Sequence, residues 1–163
     1  MSEFNYSNII DYKMMNSLVT SSRETNNLTI VKEYDISYEL TKTTRGKKFL
    51  FYDSGIHDEN RIVVFTTDEN ILHLINCKIM ICDDTFKSAP KNFEQIFILQ
   101  CNVGNKNLSL LYCFVKTKNE YSYNKLFEWL SKEIKEEVIK EKNIILDFER
   151  ACMNALKKFF YKF

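Results

Sequence analysis

Residues 79–82 (IMIC) and 110–115 (LLYCFV) are apolar at every position. A strand with apolar side chains on both alternating faces has no side to offer to water, so these two stretches predict strands covered on both sides by helices. The sheet they belong to lies in the middle of its domain. Its remaining strands are expected at 95–103, joined to 108–115 through the Gly- and Asn-bearing loop GNKN, and at 143–147 (NIILD).

Little in the chain interrupts such elements. Its 163 residues include one Pro and three Gly, and 45% of them are hydrophobic, enough for one domain with a real core. Residues 1–45 differ: Ser, Thr and Asn dominate and the apolar patches are short, which predicts a poorly defined polar extension with a strand near 28–31. From 46 to 77 the texture changes to a hairpin, KFLFYD and NRIVVFTT about a Ser54-Gly55 turn, followed by a short helix over DENILHLINC that Thr67 or Asp68 caps.

Residues 78–163 read strand, strand, strand, helix, strand, helix. Tyr123, Leu126, Phe127, Leu130, Ile134 and Val138 recur at helical spacing after an Asn119 cap, and Phe148, Cys152, Ala155, Leu156, Phe159 and Phe160 form a second stripe. Trp129 and Phe127 therefore read first as core. The fold class is α/β, a mixed sheet with helices packed on it, preceded by the hairpin and short helix.

Charge excludes little. The first 70 residues hold 8 Lys and Arg against 11 Asp and Glu, and the remainder 15 against 11, a basic surplus too small to demand a nucleic acid. Five cysteines, Cys77, Cys82, Cys101, Cys113 and Cys152, lack C-x-x-C spacing and have only His57 and His73 to join them, which argues against a zinc site or a disulfide framework. Buried thiols in a reducing, intracellular compartment are the expectation. No basic segment precedes an apolar one at the N-terminus and no apolar run nears the length of a membrane helix, so no membrane partner is expected.

Two acids stand out. Asp83 ends one apolar strand and Asp147 ends another, and in an α/β sheet ligands collect beyond the carboxyl ends of strands. Paired carboxylates there outline a divalent-metal site. Strand alternation sets Asp83 on the face of Ile79 and Ile81 and turns Asp84 the other way.

The segments carrying these acids extend the argument. DDTFKSAPKNFEQIFIL resembles the D-G-T-F-K-x-A-P-x-x-F-x-Q block of Mutator-like (MULE) transposases, and ILDFERACMNALKKFF is similar to their T-D-F-E-x-A-x-x-N-A block; FLFYDSG and NRIVVFTTDENILHLINCK also resemble the segment upstream. The resemblance covers about residues 49–160. It implies a ribonuclease-H-like fold, incomplete here, and DDE chemistry: cutting and joining of DNA phosphodiesters with Mg2+ or Mn2+. It further implies that Asp83 and Asp147 are the first and second catalytic, metal-binding acids, that DNA at transposon ends is the partner, and that the parent role is nuclear.

Two departures qualify what it implies. Asp84 stands where the family has Gly, and no third acid is matched among the residues after Asp147, Glu149 belonging to the D-F-E block itself. Residues 1–45 carry no Cys/His zinc module of the kind that often accompanies these enzymes. The expectation is thus a transposase fragment inactive alone, with a non-enzymatic DNA- or protein-binding remnant as the alternative and an uncovered sheet edge favouring self-association.

Overall fold

The computed structural model describes residues 31–32, 35–36, 38–85, 89–90, 92–103, 106–147 and 149–160. A small antiparallel ribbon, β1 (Val31–Lys32) with β2 (Asp35–Ile36), leads into one 3-10 turn, Tyr38–Thr41. The strand expected at 28–31 falls outside the described residues except for Val31.

Six strands make the main sheet: β3 (Leu50–Asp53), β4 (Ile62–Phe65), β5 (Ile79–Thr85), β6 (Gln95–Val103), β7 (Lys106–Val115) and β8 (Asn143–Leu146). Their order is β3-β4-β7-β6-β5-β8, with every pair antiparallel except β5 and β8, which run parallel. The mixed α/β sheet expected from the apolar runs is present. A register shift between Leu99 and Gln100 of β6 sets Ser109, not Leu110, opposite Gln100. Leu110 and Leu111 consequently bury in the same cluster, as two residues of a regular strand could not.

The hairpin β3–β4 turns where Gly55 takes φ +109°, a conformation that costs glycine little. Asp53 accepts from the Gly55 amide at 2.9 Å and, across the hairpin, from Arg61 Nε at 2.9 Å and Nη2 at 2.5 Å. Helix α1 (Asp68–Asn76) begins at Thr67, whose hydroxyl accepts from the Asn70 amide at 3.2 Å, one of the two caps expected. Helix α2 (Glu120–Glu133) begins at Asn119, again with a side-chain cap.

The periodic stripe from Tyr123 to Val138 does not form a single helix. Ile134 adopts an extended conformation (φ −119°, ψ 117°), closing α2, and α3 (Glu136–Lys140) restarts beyond it. Ile134 and Ile139 are both buried in the core, so the break swings the chain back to the sheet while both isoleucines stay inside. A β-branched residue accepts the extended conformation at small cost. Helix α4 (Arg150–Phe160) completes the order; Phe148, counted in its stripe above, lies outside the described residues.

All four helices supply one core cluster on a single face of the sheet, where Phe127 meets Phe97, Tyr123 and Phe160. The opposite face carries a second cluster of Val63, Phe65, Ile96, Tyr112 and Phe114, covered by Ile36, Leu40 and Phe49 and by Ala89 and Phe93. This corrects the expectation of helices on both faces: an all-apolar strand requires apolar cover on each side, and here the short β1–β2 ribbon, the 3-10 turn and connecting segments provide one of them. Tyr52 of β3 stacks on Trp129 of α2 at 6.3 Å, tying the hairpin to the helical layer.

Cys77 and Cys101 are disulfide-bonded, which corrects the reading of the cysteines, whereas Cys82, Cys113 and Cys152 are buried thiols as expected. The two cysteines stand 24 positions apart, which gives no local signal; antiparallel pairing of β5 with β6 brings them together. Among the described residues no helix is long and apolar enough to cross a membrane.

Candidate acidic site at the ends of β5 and β8

Parallel pairing matches each β5 residue with the one 64 positions later, from Ile79 with Asn143 to Cys82 with Leu146. One step further along the same register lie Asp83 and Asp147. Both are exposed, on neighbouring strands about 4.8 Å apart; Asp147 follows the last residue of β8, whereas β5 runs on past Asp83 to Thr85, a correction to the expectation that Asp83 ends its strand. Both acids singled out from the sequence are therefore brought to one place by backbone pairing. Gln100, on the adjacent strand β6, holds Asp83 with an Nε2–H donated to Oδ2 at 3.4 Å. The Glu149 amide donates to the Asp147 carbonyl at 2.6 Å, and α4 begins at Arg150.

Asp84 lives in a different environment. Alternation places it with Met80 and Cys82 on the helix-covered face, where it is half-buried and hydrogen-bonded to Glu149. Glu149 accepts from the Tyr123 hydroxyl at 2.6 Å, and that hydroxyl accepts from the fully buried Gln95 amide at 2.5 Å. Lys118 Nζ lies 3.5 Å from the other Glu149 oxygen. Two carboxyl groups, a phenol, an amide and an ammonium thus form one chain of contacts running from β5 through α4 and α2 to β6.

The electrostatics follow from this packing. Burial, reinforced by the hydrogen bond to and the charge of Glu149 and by Asp83, pushes the Asp84 carboxyl up to about 7, against a weaker pull down from Lys118. Burial also raises the Tyr123 phenol, which keeps it a hydrogen-bond donor at any ordinary pH. The Asp84 Oδ1 atom is buried without a hydrogen-bond partner, a tolerable state for a protonated acid and a costly one for a carboxylate.

This shift has a measurable consequence. The folded chain holds the Asp84 proton between pH 3.8 and about 7, where the unfolded chain releases it, so stability falls as pH rises through that window and levels off above it. Asp84→Asn is expected to remove the slope and to be more stable than the parent at pH 8 by about 1–2 kcal/mol, allowing for the partial exposure of the side chain. Urea unfolding at pH 5 and pH 8 checks this; parallel pH slopes in the two proteins would refute it.

No family model, curated protein or solved structure matches this chain.

The site must therefore be read from its own atoms. Among the described residues no group of three or more His, Cys, Asp or Glu is placed to hold a metal ion. Asp83 and Asp147 offer carboxylate oxygens to solvent, a donor set that suits Mg2+, which takes one or two carboxylates and completes its shell with water and phosphate oxygens. Asp84 does not join them, because its side chain faces the other side of the sheet. Sequence reasoning missed Glu149, Tyr123, Gln95 and Lys118 as parts of one cluster. The signal was present in part: Gln95 and Glu149 sit in the two blocks that flank the acids.

Proposed function

We propose that this chain carries part of the metal-dependent DNA phosphodiester chemistry of a Mutator-like transposase, with Asp83 and Asp147 as the paired metal-binding acids. The observation that carries the reading is the parallel β5–β8 register, whose last pair, Cys82 with Leu146, immediately precedes the two acids. The connectivity supports it: three antiparallel strands, a helical crossover, here broken into α2 and α3, then a strand returning parallel to the first is how a ribonuclease-H-like fold begins.

When bound, Mg2+ or Mn2+ supplies activation of the attacking oxygen and neutralises charge on the leaving one. The chain's own contribution is narrower. Asp83 and Asp147 present oxygens from neighbouring strands that a sheet holds rigid, and Gln100 restrains the Asp83 carboxylate. The third carboxylate of the class has no matched position in these residues, so the proposal assigns two acids.

Titrating Mn2+ into the whole chain, followed by nicking of supercoiled plasmid, tests the assignment. Binding that disappears in Asp83→Ala and in Asp147→Ala supports it, and cleavage that persists in Asp83→Ala would overturn it. A retained, non-enzymatic DNA- or protein-binding remnant is the second reading, favoured by Asp84 and its bond to Glu149 at the family's Gly position. Salt-dependent binding to arbitrary duplex DNA without cleavage selects the DNA-binding form of that reading.

A further inference from the structure

Cys77 stands at a junction of three elements. It caps the end of α1, its amide donating to the His73 carbonyl at 3.0 Å, and its sulfur is bonded to Cys101 of β6. Its carbonyl accepts from Lys142 Nζ at 2.6 Å, and the same ammonium donates to the Ile75 carbonyl at 2.8 Å. Lys142 is only 6% exposed, and burial lowers its pKa, yet two carbonyls at a helix C-terminus satisfy it. The next residue, Asn143, opens β8 by donating to the Lys78 carbonyl at 2.9 Å. Cys77 and Lys78 therefore hold the start of the very strand pair, β5 and β8, whose far ends carry Asp83 and Asp147.

We propose that the Cys77–Cys101 bond is a reversible redox tether that sets how firmly β8 is held against β5. Three features support reversibility. Only this pair is bonded among five cysteines, so the chain is not a disulfide scaffold. Both residues are buried, Cys101 fully and Cys77 with 8% of its surface exposed, so Cys77 is the residue of the pair with a share of its surface at solvent. The Cys77 sulfur also lies 3.4 Å from the Leu74 carbonyl, so the reduced thiol has an acceptor waiting where it stands.

The exchange balances with glutathione as co-reactant. One glutathione thiolate attacks the Cys77 sulfur and breaks the bond to Cys101, which leaves as a thiolate and takes up a proton. A second glutathione then attacks the mixed disulfide, releasing Cys77 as a thiol and forming glutathione disulfide. Two electrons pass from two glutathiones to the protein pair. The inference stands apart from the transposase reading, since its readouts are thiols and amide exchange rather than DNA chemistry.

The experiment equilibrates the whole chain across glutathione redox ratios, then alkylates it in denaturant and weighs it intact. The number of modified cysteines is expected to pass from three to five. Five at every ratio would show that the bond does not form, and three at every ratio would show a permanent crosslink; either overturns the proposal. Hydrogen exchange of the β8 amides is expected to be about tenfold faster in the reduced protein, with a thermal midpoint lower by roughly 10 °C. Equal β8 exchange in the two states refutes the coupling. In Cys101→Ser both differences should vanish, and if that variant does not fold the wild-type comparison still decides.

Discussion

Phe127→Ala is expected to destabilise the protein by about 4 kcal/mol, a large share of the roughly 5–15 kcal/mol that a single domain commonly has in hand. The ring is fully buried and sits where three elements converge, edge-on to Phe97 of β6 at 6.1 Å and to Phe160 of α4 at 5.7 Å, with Tyr123 of α2 stacked beside it at 6.4 Å. Truncation removes the transfer free energy of the ring and leaves a void that rigid neighbours on a sheet cannot collapse to fill. Phe159, next to Phe160 but only half-buried, serves as the control, with an expected loss of about 1 kcal/mol. Urea denaturation measures both. A Phe127→Ala loss no larger than that of Phe159→Ala would mean that α2 and α4 do not pack on the sheet as described.

The second large effect is expected at the hairpin. Arg61 is 4% exposed and forks onto both oxygens of Asp53, so Arg61→Ala leaves a partly buried carboxylate with half its partners gone, at a cost of about 3 kcal/mol. Arg61→Lys should recover little, because a single ammonium cannot replace the planar fork. Replacing both partners together, Asp53→Leu with Arg61→Met, should recover much of the loss, since the penalty comes from the orphaned charge more than from the missing attraction. Thermal or urea unfolding of the four proteins separates these cases; if the double variant is no more stable than Arg61→Ala, the desolvation argument fails.

Much of this architecture was legible because the main strands and helices advertise themselves locally. The runs at 79–83, 95–103 and 108–115 form strands within a few residues of their expected bounds, and Thr67 and Asn119 cap the helices that follow them. Asp83 and Asp147 could be paired because each follows an apolar run, and parallel register sets those runs side by side, although β5 continues past Asp83 to Thr85. What was hidden depends on distance through space. The helical period carries through Ile134 unbroken, yet the backbone turns there because the chain has to return to β5. Nothing near Cys77 in the sequence announces Cys101, and nothing in a polar stretch such as 35–41 announces that Ile36 and Leu40 cover half a sheet. Asp84 was read as an oddity at a glycine position, and its link to Glu149 needs α4 folded over the helix-covered face before it exists.

The stacking of Tyr52 on Trp129 has an optical consequence. Trp129 is the single tryptophan of the chain, is nearly buried, and touches the hairpin from α2. Its emission therefore does not report on the acidic strand ends at all; it reports on whether β3 is seated against the helical layer. Fluorescence and amide exchange at β8 observe opposite edges of one sheet, β3 and β8, and comparing their unfolding midpoints shows whether that sheet melts as a unit or frays from one side.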